Sequence, residues 1–397
     1  MWCQVAIFAV GATSAIQVAG VVATVLSMIC LILVPAFLLM RHSGADLIPL
    51  VLAALGWLAF AASCLVNGVS ASWPNALAPA AFSLYFIGLT VLTNRSVDRV
   101  ATVLAGIALG TVVFFVTQGI ELTSTGSFLD VWKYGIAHGV TVLVLFALIK
   151  SGTPRLFPPL ALVLIGLASL GLNFRSHALV CLVAAVILVV RYRLGARVQR
   201  RWQFVGVVAF GLLFSYLMPM AARFGLFGPA LQRKTIEQQA TDLPLLLAGR
   251  TEPPMTLTAI AERPLLGWGS ATQLTPEVYA RAEHLAISWG FPPTFPFELY
   301  WRLPVTDYSA MHSILLGSWA EGGVLATFLP LWLLVACLAL IWNNANFTIW
   351  SPLVLTVALQ GVWDLFYSPW TYNTIAEFAC IALLFRTSRT RLHTVPT

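Results

Sequence analysis

Apolar runs of about twenty residues recur through most of this chain, and that recurrence limits its fold more than any single motif does. A run of about twenty residues matches one helical crossing of a hydrocarbon layer, whereas a membrane barrel strand needs only about half as many. Of the 397 residues, 59% are hydrophobic and 9% are charged, against about 25% charged in a soluble domain. The chain therefore reads as an all-α integral membrane protein. Its formal net charge of +7 does not require a nucleic-acid partner, because cytoplasmic loops of membrane proteins carry excess Lys and Arg. Cys3, Cys30, Cys64, Cys181, Cys337 and Cys380 all lie in apolar runs, which argues against a disulfide framework or a metal cluster. No basic stretch precedes the first apolar run, so the N-terminus reads as a retained helix rather than a cleaved signal peptide.

About twelve spans are expected, near 2–19, 21–40, 47–67, 76–93, 99–117, 133–150, 156–172, 177–194, 204–220, 323–342, 348–367 and 371–387. Residues 1–40 as one helix would be about 60 Å long, twice the hydrocarbon thickness, so they are divided. Basic residues in short loops set the orientation. Arg41, Arg95, Arg99, Lys150, Arg155, the cluster Arg191–Arg201 and Arg386–Arg391 all follow even-numbered spans. Those loops face the cytoplasm, and both termini with them. The long loop 221–312 then faces outward. It is too long to be structureless and is expected to hold helices and a function of its own. The chain divides into 1–220, with spans 1–9; 221–312, the outer loop domain; and 313–397, with spans 10–12 and a basic tail.

Against this topology, several residues are out of place. Arg175, in the tight hairpin "LNFRSHALV", lies on the outer side, where the positive-inside bias does not put it. It is either a snorkelling arginine or the holder of an anion at the membrane face. Arg250, in "LLLAGRTEPPMTLTAIAERPLLGWG", precedes a helix expected to begin near Pro253 with Thr251 as its cap. A helix N-terminus beside a guanidinium suits an anion, though a solvated loop arginine fits the same residues. In "AMHSILLGSWAEGGVLA", His312 and Ser313 stand where the outer loop enters the membrane. A histidine there can serve as a base near neutral pH or as an interfacial hydrogen-bonding group. Glu321 lies among apolar residues, where a carboxylate is costly unless paired. Asp364, in "LQGVWDLFYSPW", is a third ionisable group in an apolar setting, expected near the outer end of its span. A carboxylate of this kind can hold an imidazole in one tautomer, so a His312–Asp364 pairing is a hypothesis. Tyr134 and His138 in "VWKYGIAHGV" are four residues apart and expected on one helix face, lining a cavity or making a structural hydrogen bond. Metal motifs such as DxD and HExxH are missing, as is a GxxxxGK[ST] phosphate loop. A diphosphate handled without a metal ion would need fixed arginines to stabilise its charge.

Together these stretches resemble the bacterial O-antigen ligase and O-antigen polymerase superfamily. "HSILLGSWAEGG" is similar to the ligase signature of His-Asn/Ser/Gln, then nine intervening residues, then a glycine, here His312-Ser313 to Gly323. "GRTEPPMTLTAIAERPLLGWG" looks like the Gly-Arg … Pro-Leu-Leu-Gly-x-Gly segment of that superfamily's large periplasmic loop, and "FRSHA" like its Arg-Ser turn. The order and sidedness of these pieces extend the resemblance over nearly the whole chain. Ala326 departs from the ligase signature, and Pro253-Pro254 stands where relatives often carry an aromatic residue. The resemblance implies a GT-C-type inner-membrane glycosyltransferase, metal-independent and inverting, with no cofactor. The donor would be a glycan on undecaprenyl diphosphate at the periplasmic face, and the acceptor hydroxyl would belong to lipid A–core for a ligase or to another lipid-linked repeat for a polymerase. Arg175 and Arg250 would bind the diphosphate, His312 would be the general base, and Asp364 would orient it. Glu321, Ser313, His138 and Tyr134 would be supporting residues. A transporter or flippase for the same lipid is the reading from a different class.

Overall fold

The computed structural model describes residues 2–19, 23–70, 74–118, 128–194, 200–228, 231–233, 235–236, 251–301 and 311–392. Among the described residues the protein is helical almost throughout, with one minimal antiparallel pair, Gln17–Ala19 against Ala23–Thr24. Seven helical segments among the described residues are long and apolar enough to cross a membrane: Leu47–Asn67, Asn75–Thr93, Val97–Gln118, Phe128–Lys150, Arg175–Arg193, Val324–Trp342 and Asn344–Tyr367. Trp2–Ala15 and Phe157–Gly171 are apolar but shorter.

In chain order the first helices are α1 (Trp2–Ala12), α2 (Val25–Ile32), α3 (Val34–Leu38), α4 (Gly44–Asn67), α5 (Pro74–Thr93) and α6 (Val97–Gln118). The stretch 21–40, expected as one span, is instead broken at Leu33. Pro35 follows in the first turn of α3, and a proline that lacks an N–H suits a helix start and not an interior. α1 lies directly on α6 because small residues let the two backbones touch. A Cβ added to Gly11 would stand 2.6 Å from the Val103 carbonyl oxygen.

Next come α7 (Phe128–Val131) and α8 (Ala137–Lys150), joined by a π-helical turn over Trp132–Ile136. α9 (Phe157–Gly171) turns back through Asn173, whose positive φ of 57° closes the hairpin, into α10 (Arg175–Leu194). α11 (Arg200–Arg223) follows.

Residues 251–301 form a separate helical region containing α12 (Pro253–Glu262), α13 (Pro276–Ser288) and α14 (Phe297–Trp301). It has its own apolar core of Met255, Ala259, Trp268, Val278, Phe291, Phe297 and Trp301. An Arg281–Glu262 ion pair of 2.9 Å ties α13 to α12. The chain then returns through α15 (Ile314–Gly322) to α16 (Phe328–Trp342), α17 (Ser351–Tyr367) and α18 (Tyr372–Leu392). The main core runs through α5, α6, α10 and α16–α18, with Phe82, Tyr85, Phe86, Ile107 and Phe378 almost wholly buried. α17 is central to this packing, so any polar side chain on its inner face must find its partners within the bundle.

Candidate active site

The site is built around the two ends of the short helix α15. At its start, Ser313 adopts an extended backbone and accepts a hydrogen bond from the Leu316 N–H at 3.1 Å. This is the usual role of serine at a helix N-cap. The same hydroxyl donates to the Leu365 carbonyl at 3.1 Å, pinning the entry of α15 to the end of α17. Ser313 is thus a positioning residue for its neighbour, His312.

His312 is half-exposed, with 42% of its side-chain surface accessible, and its Nδ1 lies 3.0 Å from Glu252 Oε1. Glu252 is held from behind. Its carbonyl accepts bonds from both the N–H and the hydroxyl of Thr256, each at 3.0 Å. The preceding Thr251 carbonyl accepts from Trp301 Nε1 at 3.0 Å. α12 begins at Pro253 as expected, yet its N-cap residue is Glu252 and not Thr251. The residue read as a cap is an anchor for the carboxylate next to it.

At the far end of α15, the segment Pro264–Gly269 docks along the backbone of residues 320–324. The Trp268 N–H donates to the Ala320 carbonyl at 2.9 Å, the Gly269 N–H to the Glu321 carbonyl at 2.7 Å, and the Val324 N–H to the Pro264 carbonyl at 3.1 Å. Glycine is required here. Gly267 has a φ of +76°, and a Cβ on it would stand 2.5 Å from the Glu321 oxygen. Gly323, with a φ of +77°, faces the Leu265 carbonyl just as closely from the other side. Trp319 Nε1 adds a bond to the Pro264 carbonyl at 2.8 Å, and Trp268 Nε1 one to the Ala259 carbonyl at 2.9 Å. Arg263 stacks over Trp268 at 3.9 Å and donates to Asn67 Oδ1. Two motifs separated by some fifty residues in the chain therefore form one unit.

Glu321 is fully buried and explains how that unit is held to the membrane helices. Its carboxylate accepts from Asn75 Nδ2 on α5 at 2.5 Å and from the Ala271 N–H at 3.0 Å. Its carbonyl also accepts from Ser63 on α4 at 2.7 Å. A buried carboxylate is tolerated when hydrogen bonds replace its lost hydration.

The remaining candidate residues fall elsewhere. Arg250 lies outside the described residues. Arg175 is half-buried at the first position of α10, directly after the Asn173 turn. Asp364 is buried on α17, where its Oδ1 accepts from Gln360 Nε2 at 3.0 Å and Ser368 Oγ at 2.7 Å. The carboxylate at His312 is thus Glu252, and the pairing read from the sequence is redirected. Asp364 adjoins Leu365, which holds Ser313, but its own side chain turns into the bundle. His138 and Tyr134 do not share a face. The π-helical turn at 132–136 replaces i→i+4 by i→i+5 bonding and breaks the spacing. Tyr134 is exposed and bonded to Lys133 Nζ at 2.6 Å, while His138 turns inward to Glu377. Glu252 itself carried no separate signal in the sequence beyond following Gly-Arg-Thr in a recognisable segment.

No protein-family model matches this chain, and no curated protein matches it at a significant level of similarity.

Proposed function

We propose that the protein transfers a glycan from a polyprenyl diphosphate, undecaprenyl diphosphate being the donor that the sequence resemblance implies, to an acceptor sugar hydroxyl at the periplasmic face of the bacterial inner membrane. In this reading it is a GT-C-type chain of about twelve spans with both termini cytoplasmic, and an O-antigen ligase acting on lipid A–core. The observation that carries the reading is the His312–Glu252 pair at the junction of the helical loop region and the membrane helices. A carboxylate on Nδ1 fixes the imidazole so that Nε2 keeps its lone pair. The ring is half-exposed, so an acceptor hydroxyl can approach it.

The chemistry follows directly. The acceptor oxygen attacks the anomeric carbon while its proton passes to His312 Nε2. The bond from the anomeric carbon to the diphosphate oxygen breaks, and its electron pair leaves with the diphosphate. Attack from the opposite face inverts the anomeric centre. Charge accumulates on the leaving diphosphate, where Arg175 and Arg250 would stabilise it without a metal ion. The Glu321 network and the Gly267–Gly323 contact support the reading because they hold His312 on a rigid base, as a general base requires.

The test is transfer by the purified protein from a polyprenyl-diphosphate-linked glycan to lipid A–core, with and without chelator. Transfer should survive the chelator and fall about 10²–10⁴-fold in His312→Ala, the usual contribution of a general base. Full activity in that variant would remove the proposed base. Transfer to a second lipid-linked repeat and none to lipid A–core would move the assignment to a polymerase.

A further inference from the structure

A second group of ionisable side chains lies inside the helix bundle and has no part in the transfer chemistry. His138 Nε2 on α8 stands 3.3 Å from Glu377 Oε2 on α18. Asp364 on α17 is within electrostatic reach of both. His177 on α10 completes the group, its ring perpendicular to that of His138 at 6.3 Å between centroids. Four helices thus each send one ionisable residue to a common point. The turn leading into His138 is π-helical, a distortion frequent at functional sites.

Two features mark this cluster as built to hold something. Several of its polar atoms lack a hydrogen bond of good geometry: Nδ1 of His138, Nδ1 of His177 and Oε1 of Gln360, the last two belonging to side chains that lie close to one another. His177 is only 1% exposed and Gln360 9%, so bulk water does not serve these atoms, and each is costly to leave alone. The second feature is charge. With both imidazoles neutral, two ionised carboxylates would face each other in an apolar interior, which is strongly unfavourable. The surrounding titratable groups do not cancel that charge. They are Cys337 on α16, Cys181 on α10 and Cys380 on α18, with Thr141 and Ser368 as neutral partners. Arg175, at the start of α10, and Lys133, in the π turn, are the basic residues on these elements nearest in sequence to His177 and His138. His312 lies beyond Ser313 at the end of α17 and is engaged with Glu252.

We infer that His138, Glu377 and Asp364 form an intramembrane proton-binding site, hydrated by water that bridges Nδ1 of His177 and Oε1 of Gln360. One proton sits on His138, as an imidazolium paired with ionised Glu377. The other sits on Asp364, on Oδ2, since both hydrogen bonds to that carboxyl fall on Oδ1. The cluster is then electroneutral. Ionisable residues inside membrane bundles are commonly proton relays, and this site gives the chain a place to take up and release a proton that glycan transfer does not itself need.

The experiment is infrared titration of the full chain in lipid nanodiscs between about pH 5 and pH 8. A protonated-carboxyl C=O band is expected at the acid end, decreasing as pH rises. It should shift when aspartate is carbon-13 labelled and disappear in Asp364→Asn. Because ordinary carboxyls are partly protonated near pH 5, the diagnostic signal is a difference, and identical protonated-carboxyl absorption in the unmodified protein and Asp364→Asn throughout this range would overturn the proposal. So would a band that ignores aspartate labelling. Neither readout requires transfer activity, so the proton site and the transferase reading can fail independently.

Discussion

Replacing Gly267 by alanine tests whether the loop–helix unit is held by backbone docking. The new methyl group would stand 2.5 Å from the Glu321 oxygen and 2.6 Å from the Gly323 nitrogen. Both are backbone atoms, so no flexible side chain can yield. Gly152 supplies the control, because it has a comparable φ of +68° with nothing within 4 Å of its added Cβ. Gly152→Ala therefore carries only the left-handed backbone cost, about 1–2 kcal/mol. Gly267→Ala carries the same cost and also separates the three backbone hydrogen bonds that join Pro264–Gly269 to residues 320–324. At about 1 kcal/mol each, these add about 3 kcal/mol. The gain from a stiffer unfolded chain is common to both variants and cancels. Unfolding in mixed micelles, followed by tryptophan fluorescence, should place Gly267→Ala about 3 kcal/mol below Gly152→Ala. Hydrogen exchange should show the Trp268 and Gly269 amides losing protection. Equal stability of the two variants, with those amides still protected, would refute backbone docking as the clamp.

Other expectations follow from the same geometry. Glu252→Gln leaves an amide oxygen that can still accept from His312 Nδ1 but removes the charge facing the imidazolium that forms as the acceptor proton is taken up; a loss of about 1.5–3 kcal/mol there lowers steady-state transfer about tenfold to hundredfold, a larger effect than on the unfolding midpoint. Asn75→Ala takes a donor from the buried Glu321 carboxylate and should lower stability by about 1.5–3 kcal/mol in the same micelle titration. Arg263→Ala removes the guanidinium stacked on Trp268, costing about 0.5–1 kcal/mol, and should alter the tryptophan emission of the folded protein.

The helical membrane character was legible in the sequence because it depends on local composition. An apolar run of sufficient length has few alternatives to a helix in a bilayer, whatever its neighbours do. The same holds for the helix of the long loop that begins at Pro253, since a proline suits a first turn. The break at Leu33 carried a signal in Pro35 that the expected span 21–40 passed over, whereas the π turn before His138 was not legible, being a local departure from a period that the composition still satisfies.

Within the site, the sequence by itself singled out His312, Ser313, Glu321, Arg175 and Asp364, because a polar group in an apolar run is conspicuous against its surroundings. It could not determine which group each would meet. Glu252 reaches His312 from sixty residues away in the chain, and Asn75 reaches Glu321 from the opposite direction. Glu377 stands against His138 although the whole middle of the protein separates them in sequence. Pairing of buried charges is a property of helix packing, where a single turn of register or one π-helical insertion redirects a side chain to a different partner. Composition settled that the chain is a helical membrane protein, and only the tertiary structure decided that its carboxylates serve two separate imidazoles.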